Sequence, residues 1–150
     1  MIPSPFMELA LAQAEEAAKR DEVPVGAVIV LREKGCVIAA CSNRMRELRN
    51  PAAHAEMLVI EAACAALGAE RLTGCDIYVT LEPCPMCAQA ISFARLERLY
   101  YAASDPKGGG VEHGPRIFGS SSCHHAPEVY SGIQERKAAE MLRHFFEKKR

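Results

Sequence analysis

The chain has 150 residues and a formal net charge of −1, and 49% of its residues are hydrophobic and 25% charged. This length suits one domain, residues 1–150, around a single core. The near-neutral charge excludes a generally basic nucleic-acid-binding surface, although it allows a local basic patch. No apolar run reaches the roughly 18–20 residues that cross a bilayer, and residues 1–5 show no secretory signal pattern. We therefore expect a cytoplasmic protein.

Seven cysteines are scattered along the chain. They are Cys36, Cys41, Cys64, Cys75, Cys84, Cys87 and Cys123. An odd number at these spacings is a poor disulfide framework, and closely spaced pairs in a reducing compartment indicate metal or redox chemistry. The first four lie in apolar segments, so we expect them to pack as small hydrophobic side chains.

The N-terminal part of the chain predicts a helix followed by a hairpin. Ser4 followed by Pro5 is typical of a helix start, and apolar residues then recur every three or four positions. This stripe comprises Phe6, Leu9, Ala10, Ala14, Ala17 and Ala18. The apolar runs 25–31 and 36–41 flank Arg32-Glu33-Lys34-Gly35, which predicts a hairpin whose strands are covered on both faces.

The rest of the chain alternates strands with helices. The expected elements are a helix from about His54 to Leu67 that ends at Gly68, a strand over 76–81, a helix that begins near Cys84, strands over 99–102 and 128–130, and a helix from about Ile133 to Phe146. Residues 104–127 predict a long surface loop, which is uncommon in compact domains and often functional. This order predicts an α/β sandwich with helices on both faces of the sheet.

Two short motifs stand at the starts of predicted helices. They are His54-Ala55-Glu56 and Pro83-Cys84-Pro85-Met86-Cys87. Cys84 and Cys87 are three residues apart and share one helix face, and a helix N-terminus favours the thiolate form. With His54 they form a His-Cys-Cys set, which leaves a fourth zinc position open for water, as in catalytic sites.

Glu56 distinguishes this pattern from a structural zinc site. Two residues beyond His54, it could reach a metal-bound water, take its proton and deliver that proton to a leaving group. A C-x-x-C pair alone also occurs in structural zinc sites and redox sites. The ordered combination of His-x-Glu with a later Pro-Cys-x-x-Cys is the pattern of zinc-dependent nucleobase deaminases.

The chain resembles the cytidine deaminase-like superfamily and, within it, the bacterial tRNA-specific adenosine deaminases. The resemblance extends over almost the whole chain. It rests on the segments 22–28 (EVPVGAV), Asn43-Arg44, 53–56 (AHAE), 78–84 (YVTLEPC) continuing through Met86-Cys87-Ala88, 105–108 (DPKG) and His144-Phe145-Phe146.

The resemblance implies a three-layer α/β/α sandwich around a five-stranded mixed sheet, usually as a homodimer with one zinc per subunit. It also implies conversion of adenosine to inosine at the wobble position, 34, of a tRNA anticodon loop. In the family mechanism a zinc-activated hydroxide attacks C6 of adenine. Glu56 would protonate the ring nitrogen and then the departing ammonia. Single-stranded loop bases suit this plan because they can be splayed into a pocket.

Several residues are candidates for binding the substrate. By the resemblance, Asn43 would contact base and ribose, Val25 would line the pocket for the flipped base, and Ala55 belongs to the same motif. Arg44 opens a basic cluster with Arg46 and Arg49 that could hold phosphates. Phe146 could stack on a base, and Lys148-Lys149-Arg150 could extend the basic cluster.

Two other functions remain open. The first is deamination of a free base or nucleoside, such as guanine, cytosine or cytidine. The second is a non-catalytic zinc module that binds RNA or protein, against which Glu56 argues. Residues 109–127 differ from the family pattern, and Cys123-His124-His125 within them could suggest a second metal site, although no partner ligand has a suitable spacing.

Overall fold

The computed structural model describes residues 4–149, so Met1 to Pro3 and Arg150 lie outside the described residues. The described chain forms four α-helices and five β-strands. In chain order these are α1 (Pro5–Lys19), β1 (Gly26–Leu31), β2 (Cys36–Ser42), α2 (Ala55–Leu67), β3 (Cys75–Leu81), α3 (Pro85–Phe93), β4 (Arg98–Ala103), β5 (Glu128–Ser131) and α4 (Glu135–Lys148).

The five strands form one mixed sheet in the order β2-β1-β3-β4-β5. β1 is antiparallel to both β2 and β3, whereas β3, β4 and β5 are mutually parallel. The short connection over 32–35 allows the antiparallel hairpin, and the crossover through α3 allows β3 and β4 to run parallel. The strand count and the mixed sheet confirm the predicted fold class.

Helices cover both faces of the sheet because alternate strand residues point to opposite sides. Ala27 and Ile29 of β1 lie in one buried cluster with residues of α2 and α3, including Val59 and Ile91. Val28 and Val30 lie in a second cluster, on the opposite face. Its helical members are Met7, Ala10 and Leu11 of α1 and Ala138 of α4. The molecule is therefore the three-layer α/β/α sandwich that the sequence predicts.

Two details of the sequence analysis are wrong, each for a geometric reason. β2 is an edge strand and is largely exposed or half-buried rather than covered on both faces, and Cys36 at its start is exposed. On α1, Leu9 is 45% exposed. The buried positions are Met7, Ala10, Leu11, Ala14 and Ala17. The centre of this i, i+3, i+4 set lies about 140° around the helix from Leu9, and the set decides which face meets the sheet.

Residues 104–127 form the expected long connection between β4 and β5, with one short 3₁₀ turn over Ile117–Gly119. Of the helices within residues 4–149, none is long and apolar enough to cross a membrane.

Gly26, the first residue of β1, lies at a close approach between α1 and the sheet. A Cβ at this position would overlap the carbonyl oxygen of Ala10 and lie 2.7 Å from Ala14 N, so helix backbone rests directly on the start of β1. We expect Gly26→Ala to lower the free energy of unfolding by about 1–3 kcal/mol through overpacking, measured by urea denaturation. Gly119→Ala is the matched control, since no heavy atom lies within 4 Å of its Cβ position. Equal stability of both variants would contradict this packing.

Candidate functional site

Two helices of the same sheet face begin at the site. The N-cap residue of α2 is His54 and that of α3 is Cys84, and neither side chain caps its own helix. Pro85 is the first residue of α3, where its missing N–H has no helical partner to lose. Both positive helix ends therefore contribute to the site, and positive potential favours thiolates.

The side chains at these helix ends have the spacing of zinc ligands. His54 Nδ1 lies 3.6 Å from Cys84 Sγ and 3.5 Å from Cys87 Sγ, and the three donor atoms lie within 4.8 Å of one another. Zn–N bonds of about 2.0–2.1 Å and Zn–S bonds of about 2.3 Å at tetrahedral angles separate nitrogen and sulfur by about 3.6 Å. The three side chains thus fit one zinc ion, and the group leaves a fourth position open.

The two thiols differ in acidity. Hydrogen bonds from Cys87 and from His54 lower the pKa of Cys84 to about 4. The pKa of Cys87 is raised, chiefly because its thiol donates to Cys84 and secondly because it is buried. Hydrogen bonding to Cys84 also raises the pKa of His54. The Cys87 thiol proton thus lies between the two sulfurs, next to His54. A divalent cation that binds both sulfurs and the imidazole would replace this proton.

Glu56 lies in the first turn of α2, next to this cluster. It is 4% exposed, and its carboxyl interacts with Cys87. Burial raises its pKa to about 7. A carboxyl group with that pKa can both accept and release a proton near neutral pH, which is the property of a general acid–base group.

Asn43 follows β2 and is held by the start of α2. Its Oδ1 accepts a hydrogen bond of 2.8 Å from the N–H of Ala55, and the residue is 6% exposed. This bond orients the amide and leaves its –NH₂ group as a donor at the site. Asn43 thus connects the edge strand with the helix that carries His54 and Glu56.

A cavity of about 180 Å³ opens beside these residues. Its lining residues are Val23, Val25, Asn43, Met45, His54, Glu56, Leu81, Glu82, Cys84 and Asp105. Ligand pockets of drug-sized molecules span roughly 300–1,000 Å³, so this cavity is suited to a single small ring system. The lining combines apolar side chains with a thiol, an imidazole, an amide and three carboxyl residues.

The structure brings most of the predicted site residues together. Val25, Asn43, Glu56 and two of the candidate metal ligands line the cavity, and Cys87 lies buried behind it. Ala55 is fully buried, and its N–H rather than its side chain contributes to the site. Its direct contact with substrate stays a prediction.

The other two predicted substrate residues lie outside the cavity lining. Arg44 is paired with Glu47 at 2.6 Å. Phe146 is 46% exposed near the end of α4, where its ring meets that of Phe145 edge-on, with centroids 5.4 Å apart.

Sequence reasoning missed the roles of Glu22 and Glu82. Both carboxyl groups are buried and accept backbone hydrogen bonds from segments beside the cavity. The sequence offers one signal, since each glutamate lies in a segment that resembles the family, 22–28 or 78–84. Their partners lie 23 to 31 residues away along the chain, so local patterns could not identify them.

Cys123 and His125 fasten the long loop rather than join the candidate metal group. Cys123 Sγ lies 3.4 Å from Ser92 Oγ, and Ser92 donates to the carbonyl of His125 at 2.6 Å. His125 Nε2 donates to the carbonyl of Leu96 at 2.7 Å. These contacts tie the loop to the end of α3.

Comparisons with known proteins agree with this geometry. Residues 3–103 match the family described as the cytidine and deoxycytidylate deaminase zinc-binding region. The chain belongs to this family. It is a zinc-binding deaminase by family, and the His-Cys-Cys group lies inside the matched region.

Named relatives cover nearly the full length. A tRNA-specific adenosine deaminase of Agrobacterium fabrum is 63% identical over 97% of this chain and 94% of that protein. One from Bacillus subtilis is 43% identical over 94% and 86%. A solved structure from a study of A-to-I editing by tRNA:A34 deaminases is 64% identical with a TM-score of 0.89, covering 91% of this chain and 98% of that one. Guanine deaminase from Nitrosomonas europaea has a TM-score of 0.82 at 25% identity, covering 97% and 86%.

Removal of any one of the three donor side chains should release zinc. We expect His54→Ala, Cys84→Ala and Cys87→Ala each to weaken zinc binding by more than the roughly 10–100-fold that loss of an outer-shell partner costs. Metal analysis of the purified variants by mass spectrometry measures this. Cys64→Ala is the control, because Cys64 lies on α2 outside the group. Wild-type zinc content in a ligand variant would exclude that residue from the metal site.

Proposed function

We propose that the protein is a zinc-dependent deaminase that converts adenosine 34 of a tRNA anticodon loop to inosine. The observation that carries this proposal is the cavity lined by Glu56, His54 and Cys84, with Cys87 completing the three-donor group beside it. The 63% identity to a tRNA-specific adenosine deaminase over nearly the full length supports the choice of substrate. The single sheet with its two helical layers supports the expectation that residues 1–150 act as one domain.

His54, Cys84 and Cys87 would hold the zinc ion. When bound, zinc supplies a Lewis acid that makes water acidic enough to act as a nucleophile near neutral pH. Glu56 would deliver one proton of the attacking water to the ring nitrogen of the base, where it stays in inosine, and the second proton to the exocyclic amine. The water oxygen forms the new bond to C6, the bond from C6 to the amine nitrogen breaks, and the amine leaves as ammonia. Burial favours the neutral acid at Glu56, whereas a neighbouring cation favours the carboxylate. These opposing effects suit a side chain that must carry a proton in both directions.

Asn43 and the apolar wall would position the base. The oxygen of the Asn43 amide is already occupied by Ala55 N–H, so its –NH₂ group would donate to an acceptor on the base or ribose. Val25 would pack against the flipped ring. A cavity of about 180 Å³ suits one extruded base with the rest of the RNA outside, and extrusion costs least from a single-stranded loop.

A basic rim would contact the RNA backbone. Arg46 and Lys149 both bond to Asp21, which brings the C-terminal end of α4 next to the segment that follows Asn43. Arg44 and Phe146 belong to the same two segments. Arginine and lysine neutralise phosphates, and an exposed aromatic ring can stack on an unpaired base.

We also propose a cytoplasmic homodimer. The exposed apolar side chains of α2 and α3 support a dimer, since Phe93 is 70% exposed and Leu67 40% exposed, and large exposed apolar groups are typical of protein interfaces. A tRNA substrate fits a cytoplasmic location.

A free base is the second candidate substrate. The cavity is large enough for one base without its nucleotide, and the similarity to a guanine deaminase with a TM-score of 0.82 favours this alternative. The same zinc and Glu56 chemistry would serve either substrate.

Product analysis distinguishes these two functions. We expect purified protein to form inosine at position 34 of a tRNA that carries A34, detected by nucleoside mass spectrometry. Transcripts with G34 should remain unchanged, and guanine, cytosine and cytidine should release no ammonia. Ammonia released from the small molecules alone would overturn the tRNA proposal in favour of the second candidate.

The proton carrier can be tested separately. We expect Glu56→Gln to reduce kcat by about 10²–10⁴-fold, since an amide cannot shuttle a proton, while zinc content and the free energy of unfolding stay near wild type. Single-turnover deamination and metal analysis measure these effects. Wild-type turnover in this variant would rule out Glu56 as the proton carrier.

A further inference from the structure

Glu82 lies directly after β3, two residues before Cys84, and its side chain is fully buried. Its carboxylate binds the loop that follows β4. Oε1 accepts from Asp105 N at 3.0 Å and lies 2.7 Å from His113 Nδ1, and Oε2 accepts from the N–H groups of Val111, Glu112 and His113 at 3.2, 2.9 and 3.1 Å. Several N–H groups that converge on one carboxylate form a strong, charge-assisted anchor.

The anchored loop rests on the backbone at the start of α3. A Cβ at Gly109 would lie 2.6 Å from the Glu82 carboxyl carbon, and one at Gly110 would lie 2.5 Å from Pro85 N. Gly110 N also donates to Pro83 O at 2.8 Å. The two glycines therefore allow the loop to press against its anchor and against the chain on either side of Cys84.

Glu22 anchors a second segment in the same way. It is 2% exposed, and its carboxylate accepts from Arg46 N at 3.1 Å and from Glu47 N at 2.8 Å. Each anchored segment contributes to the cavity lining. Met45 comes from the segment held by Glu22, and Asp105 comes from the loop held by Glu82.

We propose that Glu22 and Glu82 are positioning residues that fix two separate walls of the substrate pocket. Neither glutamate takes part in the chemical step. Each holds a wall at the distance from Glu56 and the metal group that a bound base requires. The identity of the substrate rests on the proposed function, but the anchoring itself does not.

Isosteric amides test the proposal. In Glu82→Gln and Glu22→Gln, an –NH₂ group replaces one acceptor oxygen. This new donor then faces the backbone N–H groups that the carboxylate oxygen accepted from, and those hydrogen bonds are lost. We expect hydrogen exchange to accelerate at residues 105 and 111–113 in the first variant and at residues 46–47 in the second, with protection elsewhere kept. KM for an A34 anticodon stem-loop should rise about 10- to 100-fold in each variant, with a smaller change in kcat and full zinc content.

Glu97→Gln is the matched control. The Glu97 carboxylate accepts a hydrogen bond from Gly74 N at 2.6 Å. Glu97 directly precedes β4 and Gly74 directly precedes β3, so this bond lies at the opposite end of these strands from the cavity. We expect exchange to accelerate at residue 74 and KM to stay unchanged. If Glu82→Gln fails to fold, His113→Ala removes the ring contact with Glu82 while it keeps the backbone N–H, and it should raise KM in the same direction by less.

Four outcomes would overturn the proposal. The first is wild-type protection of the anchored amides in both glutamine variants, and the second is faster exchange at those amides with an unchanged KM. The third is an equal rise of KM in the Glu97→Gln control, and the fourth is loss of zinc from the Glu82→Gln variant. Should the wild-type chain deaminate a free base instead of A34, the proposed function would fail. The same KM comparisons would then be made with that base.

Discussion

The reactive part of the molecule depends on two helices that begin side by side, each with a candidate metal ligand as its N-cap. α2 and α3 pack on one face of the sheet, so their first turns meet beside the carboxyl end of β3. This geometry places His54 Nδ1 within 3.6 Å of two sulfurs. It also sets two positive helix ends against the thiolates that zinc requires. A shift of either helix along the sheet would separate the donor atoms.

The helix ends carry the candidate reactive groups, and the loops line much of the cavity. Glu56 and Cys87 lie in the first turns of helices packed against the core, and His54 and Cys84 are the N-caps of those helices. Such regular elements give the rigid support that precise catalytic geometry requires. The loops beside them pack some apolar side chains, such as Val111, against the core and gain a further, polar anchor. Buried carboxylates provide it at Glu22 and Glu82, and the N–H of Ala55 performs a similar task for the side chain of Asn43.

The sequence predicts the local features of this fold well. Helix and strand order follow from periodicity, from Ser4 and Pro5 at the first helix start, and from Gly68 in a left-handed conformation at the end of α2. Three features depend on tertiary context instead. The exposure of β2 follows from its place at the sheet edge, and the anchors of Glu22 and Glu82 involve distant segments. His54 meets thiols that are 30 and 33 residues away along the chain. No local rule specifies which two helix starts adjoin, so only the family pattern predicts this contact.

The division between helix ends and loops also explains how one fold can serve different substrates. The guanine deaminase neighbour keeps the same fold at 25% identity, so the sheet and its helices do not by themselves choose the base. Selection must lie in groups that touch the base or hold those that do. In this chain much of the cavity lining comes from segments 22–25 and 43–47 and from Glu82 and Asp105, which lie outside the nine α-helices and β-strands of the described residues. Changes in these segments can alter the pocket without moving the zinc ligands, because the ligands are fixed by α2 and α3.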